Sequence, residues 1–150
     1  MFLTFLSILL IYSGFILGLG AVTVIDIHGF LGRTSLYWTK ATISTHKITK
    51  ILIWIGTALN GMGLFIYIYL GNNNIFILVS LSILVILILN GLFLSFNISP
   101  KLLKMESDDK IVLLDNHTQV YIFVSFIISF ISWWSNFLIL TYVIFQNAFR

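Results

Sequence analysis

The sequence predicts an all-α integral membrane protein, a bundle of four transmembrane helices forming a single membrane domain over residues 1–150. Hydrophobic residues make up 59% of the chain and charged residues 9%, whereas soluble domains carry about a quarter charged residues. Four apolar stretches also reach the length of about 20 residues that a helix needs to cross the hydrocarbon core. Short connections between them predict antiparallel neighbouring helices.

The predicted spans cover residues 2–27, 48–70, 75–97 and 118–145. The first has neither a basic leader nor a small-residue cleavage site, so we expect it to be a retained helix rather than a signal peptide. Gly14, Gly18 and Ala21 lie on one face of this helix. Small residues at such spacing predict a close approach by another helix.

Two connections carry recognisable signals. Residues 39–45 continue the periodicity of the second span, which predicts an interfacial extension leading into that helix. The cluster at residues 71–74 predicts a tight hairpin between the second and third spans. The third span should end at Ser99-Pro100, because proline disfavours helical geometry in the preceding residue. Residues 101–115 then predict a short amphipathic helix and a turn at residues 107–109.

The third span is the most uniformly apolar and is expected to be the most lipid-exposed. The other three should supply the small and polar inner faces. In the fourth span, one broad face holds polar residues, namely Tyr121, Ser125, Ser132 and Asn136. Asn90 in the third span predicts a hydrogen bond to a neighbouring helix.

Basic residues predict the orientation. They flank the first and third connections, while the second carries none; the set is Arg33, Lys40, Lys47, Lys50, Lys101, Lys104 and Lys110. Because an excess of Lys and Arg marks the cytoplasmic side, both termini are expected on the outer side. The sequence predicts a multi-pass protein of the cell inner membrane. Frequent Ile, Asn and Lys indicate an AT-rich, prokaryotic source.

Composition excludes several classes of function. The chain has no cysteine, which excludes thiol oxidases of the disulfide-exchanging membrane type and Cys-based zinc or iron–sulfur sites. Its net charge of +3 comes from residues beside the spans, so membrane topology explains the charge and nucleic acid is not an expected partner. The expected partner is the lipid bilayer.

A polar stripe on the second helix is the best functional clue. At about 100° per residue the stripe collects Thr39, Thr42, His46, Lys50, Thr57 and Asn60. Lipid cannot satisfy such a stripe, so it must face protein, water or a ligand. Two interpretations stand level. The stripe forms the wall of an inward-facing pocket, or Lys50 snorkels while Asn60 bonds to a neighbouring helix.

The three histidines, His28, His46 and His117, share the predicted inner membrane boundary. Imidazoles bind haem iron or divalent metals, and carboxylates can join them. The candidate cofactor-binding residues are therefore His28, His46, His117, Lys50 and Asn60, and the candidate metal ligands are His28, His46, His117 and Asp26. Alternatively, His and Asp occur there simply because the headgroup zone is polar.

Several short motifs support a resemblance. They are GLGAVTVIDIHG at residues 18–29, Asn90-Gly91, ISPKL at residues 98–102 and Trp133-Trp134. With this layout the chain resembles small bacterial four-helix membrane proteins and, more distantly, the copper-resistance D and four-helix protoporphyrinogen-oxidase proteins. That resemblance implies haem or metal held by membrane histidines. The oxidase group also uses a lysine in its third helix, and the third span here has none.

The leading hypothesis is a membrane protein for redox chemistry or cofactor handling. It would hold haem b or a divalent metal through two of the three histidines, and whether it is an enzyme stays open. The alternative is a non-enzymatic accessory or assembly subunit, with its polar stripes packed on another membrane protein or a second copy. A lipid or small-solute carrier is the third; it needs a continuous polar path, which the third helix does not offer.

Overall fold

The computed structural model describes residues 1–107 and 116–148, and nearly all of them are helical. The helices are α1 (Phe2–Leu31), α2 (Leu36–Tyr69), α3 (Ile75–Phe93), α4 (Ser99–Ser107) and α5 (Asn116–Ala148), with a π-helical segment, Leu94–Ile98, between α3 and α4. Four stretches are long and apolar enough to cross a membrane: α1, α2, Ile75–Met105 and Asn116–Asn147. The predicted all-α class is confirmed, and so are four helices with the length and apolarity to span a membrane.

Helix α2 begins well before residue 48. Residues 39–45, the predicted interfacial extension, are helical and continue directly into the apolar part of α2. Helix α1 likewise continues to Leu31. The connection between these helices is therefore reduced to residues 32–35.

Helices α1 and α2 are in backbone contact along a glycine seam, which consists of Gly14, Gly18, Gly56 and Gly63. A Cβ on Gly14 would lie 2.6 Å from the Gly56 carbonyl oxygen, and one on Gly56 would lie 2.5 Å from the Gly18 nitrogen. The Ser7 hydroxyl donates to the Gly63 carbonyl at 2.8 Å. This seam is the close approach that the small face of the first span predicts.

The apolar core lies over the glycine seam. Trp133 of α5 is 1% exposed, and a Cβ on Gly18 would overlap its indole ring. Phe15 meets the rings of Trp133 and Phe137 edge-on, with centroids 6.1 and 5.3 Å apart. Trp133 is therefore a packing residue, which ties α5 to α1.

Helices α3 and α5 are joined through Asn90. Its Nδ2 donates to the Ser125 carbonyl at 3.0 Å and to the Ser129 hydroxyl at 2.8 Å. The interhelical hydrogen bond predicted for Asn90 is present. The buried shares of the most apolar windows are similar, 28% for the third span and 22% for α5. The expectation that the third helix is the most lipid-exposed stays a prediction.

The turn predicted at residues 71–74 is present. Gly71 has φ +86°, a left-handed conformation that side chains rarely adopt. Asn74 then caps α3, and its side chain accepts a hydrogen bond from the Ile77 nitrogen at 3.0 Å. The hairpin signal thus marks both the end of α2 and the start of α3.

Ser99-Pro100 does not end the third helix, and that prediction is wrong. The Ser99 nitrogen donates to the Leu94 carbonyl, five residues earlier, so the chain enters α4 through a π-helical turn. Proline has no N–H to donate, and in an α-helix its ring clashes with the carbonyl four residues earlier. A π turn shifts the hydrogen-bond register at this point, so the helix can continue past Pro100. The helix expected after residue 101 is α4. Most of the predicted turn at residues 107–109 lies outside the described residues.

Candidate functional site

A cavity opens at the end of the bundle where α1 connects to α2; we call it the end cavity. It lies between α1, α2, the π-helical segment, α4 and α5, and its cavity volume is about 110 Å³. Most of its wall is apolar, including Ile53, Trp54, Ile98, Ile122 and Phe126. An apolar cavity with a few polar groups is the usual form of a small-molecule site.

The first half of the polar stripe of α2 lines the end cavity. Thr39, Thr42, His46 and Lys50 all belong to its wall, since residues three and four apart share a helix face. Two of these hydroxyl groups already donate to backbone carbonyls: Thr39 Oγ1 to Gly32 and Thr42 Oγ1 to Trp38, both at 2.8 Å. His46 and Lys50 are therefore the side chains of this stripe best placed to meet a ligand.

His46 has an unsatisfied ring nitrogen. Its Nε2 is buried and finds no hydrogen-bond partner among the described residues. A buried polar atom without a partner is costly, and in native proteins it is normally met by protein, water or a ligand. A neutral imidazole nitrogen is also a strong ligand for iron and other metals.

Asp26 brings a carboxyl group from α1 to the same wall. Its Oδ2 is buried and likewise makes no hydrogen bond within the described part of the chain. Asp26 and His46 are therefore two polar groups on different helices with free hydrogen-bonding capacity at one cavity.

Two cationic side chains also line the end cavity. Lys50 Nζ is 3.4 Å from the Ser99 hydroxyl, a long contact with a neutral group. The Arg33 guanidinium packs on the rings of Phe30 and Phe123, with its central carbon 5.7 and 5.1 Å from their centroids. The cations thus lie on α2 and just beyond α1, on the wall that also holds His46.

The π-helical segment shapes the opposite wall. It presents Leu94, Ser95 and Ile98 to the end cavity, and Trp54 Nε1 donates to the Ser95 hydroxyl at 3.3 Å. Such π turns occur frequently at functional sites. Sequence reasoning missed Trp54 and Ser95 as wall residues. Pro100, just after the segment, is the signal that could have indicated an irregular turn.

The other two histidines lie outside this wall. His28 Nδ1 is 3.3 Å from the Thr45 hydroxyl, and its ring lies 5.2 Å from that of Trp38. His117, at the start of α5, is exposed. The structure therefore brings His46 together with Lys50 and Asp26, but not with His28 or His117. Among residues 1–107 and 116–148 no group of three or more His, Asp or Glu residues is arranged to hold a metal ion.

Asn60 lies deeper and serves helix packing. Its Nδ2 donates to the Ile11 carbonyl of α1 and its Oδ1 accepts from Asn136 Nδ2 of α5, both at 3.4 Å. Asn60 is 0% exposed and is not part of the cavity wall described above. The first half of the stripe thus lines a cavity, and Asn60 at its other end bonds to a neighbouring helix.

The fold and the end cavity define a membrane protein with a candidate ligand site. No protein-family model, curated protein or solved structure matches the chain. The resemblance to copper-resistance D and protoporphyrinogen-oxidase proteins accordingly stays a prediction.

Proposed function

We propose that the protein binds b-type haem in the end cavity and serves redox chemistry or cofactor handling in the membrane. The observation that carries this proposal is the buried Nε2 of His46, which has no hydrogen-bond partner among the described residues and lies on the wall of an apolar cavity. When bound, haem would supply one-electron chemistry at its iron. The chain itself supplies the site, and whether it also catalyses a reaction is left to experiment.

The wall fits this cofactor in three respects. His46 would hold the iron through its ring nitrogen, the apolar side chains would surround the macrocycle, and Lys50 and Arg33 would donate hydrogen bonds to the propionates. The proposal differs from the sequence hypothesis in one point: it uses one histidine, because His28 and His117 lie away from the wall. A divalent ion alone has less support, because the described residues supply no ligand cluster for it.

The orientation and the membrane also belong to this proposal. Arg33, Lys40 and Lys47 lie at the end where α1 meets α2, while the turn at residues 71–74 carries no charge. By the positive-inside rule this distribution favours both termini outside and an end cavity open toward the cytoplasm. We assign the protein to the inner membrane of a prokaryotic cell.

Absorption spectroscopy tests the proposal. The full chain, purified in mild detergent after growth with a haem precursor, should show a Soret band and reduced-minus-oxidised α and β bands. His46→Ala should lose the band, whereas His28→Ala and His117→Ala should keep it, because those rings lie outside the wall. A wild-type protein without a Soret band, even after haemin is added, would overturn the proposal. Equal loss in His28→Ala or His117→Ala would restore the two-histidine hypothesis.

The alternative, a non-enzymatic accessory or assembly subunit, stays a hypothesis that rests on the sequence alone. Two of the polar groups it would place against a partner, Asn60 and Asn90, are hydrogen-bonded within the chain. The outward surface is largely apolar, with side chains such as Phe65 and Ile131 exposed, and such a surface suits lipid contact. Co-purification of a second membrane protein at fixed stoichiometry in mild detergent would favour the alternative.

A further inference from the structure

The end cavity has a chemical preference that its cations define. We infer that its ligand carries a carboxylate at the polar end of an apolar body, and that Lys50 and Arg33 bind this carboxylate. A haem propionate and the head of a long-chain fatty acid share this chemistry. The inference rests on the proposed function in that it concerns the same cavity, but it does not depend on iron.

Lys50 lies on the wall, and no carboxylate of the described residues is hydrogen-bonded to it. It is partly buried, and its hydrogen bond to the Ser99 hydroxyl is long and uses only one of its three N–H donors. A charged group near an apolar interior is costly unless a counter-charge meets it. An anionic ligand would supply that counter-charge.

Arg33 is an exposed residue of the same wall. The central carbon of its guanidinium lies 5.7 and 5.1 Å from the ring centroids of Phe30 and Phe123. A contact with an aromatic ring does not require the guanidinium N–H groups as hydrogen-bond donors. Those groups match a carboxylate, which a guanidinium can bind through two parallel hydrogen bonds.

Asp26 does not neutralise this pair. It is the one acidic side chain on the wall against two cations, and it makes no hydrogen bond to either of them within the described residues. The wall therefore favours an anion over a cation. Beyond the cations the wall is apolar, with Ile53, Ile122 and Phe126, so the anion should be one end of a hydrophobic molecule.

Matched acids and esters test the inference. Binding is measured to the full chain in detergent. The first pair of probes is haemin and its dimethyl ester, whose binding is detected by quenching of tryptophan fluorescence. The second pair is palmitate and methyl palmitate, whose binding is detected by scintillation proximity. In at least one pair the acid should bind about tenfold more tightly than the ester, the difference expected of a charge-assisted hydrogen bond. Lys50→Met and Arg33→Gln should reduce this preference. Lys40→Gln, an exposed lysine outside the wall, should leave it unchanged.

The outcomes separate the inference from the haem proposal. Esters that bind as tightly as acids in both pairs would overturn the inference, whether or not a haem spectrum is seen. A preference for palmitate without any haem spectrum would support the inference with a fatty acid as ligand and overturn the haem proposal. A preference that survives in the Lys50→Met, Arg33→Gln double variant would also overturn the inference. Lys50→Arg, which keeps the charge, should retain the preference and exclude misfolding as the cause.

Discussion

The side chains of Asn60 and Asn136 meet in the centre of the bundle, where Asn136 Nδ2 donates to Asn60 Oδ1 at 3.4 Å and both residues are 0% exposed. Asn60 in turn donates to the Ile11 carbonyl of α1. One amide therefore connects three membrane helices, in a region where lipid cannot replace a lost hydrogen bond.

Asn60→Ala should destabilise the bundle without affecting the end cavity. We expect a loss of about 1 kcal/mol in unfolding free energy, because the Asn136 amide loses a partner inside the bundle. Unfolding in mixed detergent–SDS micelles measures this change. Asn97→Ala is the control, because Asn97 is exposed and donates only to Phe93 of its own helix. Weakened haemin binding by a folded Asn60→Ala protein would instead place Asn60 at the ligand site.

Gly14→Ala should force α1 away from α2. The new Cβ would lie 2.6 Å from the Gly56 carbonyl oxygen, a backbone atom that cannot move without its helix. We therefore expect the free energy of unfolding to fall by about 1–3 kcal/mol. Gly20→Ala on the same helix is the matched control, because a Cβ there meets nothing within 4 Å. Equal stability of the two variants in the same unfolding assay would contradict the glycine seam.

Asn90→Ala should loosen α3 from α5. The substitution removes two donated bonds and leaves the Ser125 hydroxyl without the Asn90 Oδ1 acceptor it contacts at 2.6 Å. We expect the free energy of unfolding to fall by about 1–2 kcal/mol in the same mixed-micelle assay. Ser82→Ala serves for comparison, because the exposed Ser82 hydroxyl bonds only within α3. An Asn90→Ala protein as stable as Ser82→Ala would show that this contact contributes nothing.

Pro100→Ala should change the cavity wall while the helix persists. With an N–H restored at this position, the π-helical segment can relax to ordinary α-helical bonding, which would rotate Ser95 away from Trp54. Haemin binding should weaken several-fold, while far-UV circular dichroism stays unchanged. Phe96→Leu, in the same segment but 74% exposed, should bind as the wild type does. Unchanged affinity in Pro100→Ala would mean that the segment does not shape the site.

Hydropathy and small-residue spacing were enough to predict the four spans and the face of α1 that meets α2. The spans and the small face of α1 depend on residue types close together in the chain, which can be read directly from the sequence. The end of the third helix was harder to predict. A proline such as Pro100 ends a helix when the hydrogen bonds around it are α-helical. The π turn changes the hydrogen-bond register, and Pro100 alone does not distinguish such a turn from the end of a helix.

The histidines show why the site could be predicted only in part. The sequence places His28, His46 and His117 near one boundary, but facing the same cavity also depends on the rotation of each helix. Contacts elsewhere fix that rotation: the glycine seam orients α1 and α2, and Trp133 against Gly18 orients α5. His46 consequently lies on the wall, whereas His28 packs on Trp38. No pattern local to a histidine carries this information.

The glycine seam also determines how a ligand can enter. Backbones already in contact cannot close further, and separating them would expose peptide groups and break the bond between Ser7 and Gly63. We therefore expect α1 and α2 to move as one unit. The π-helical segment and α4 meet α2 through side chains, such as Trp54 with Ser95 and Lys50 with Ser99, so we expect these two segments to move when a ligand enters.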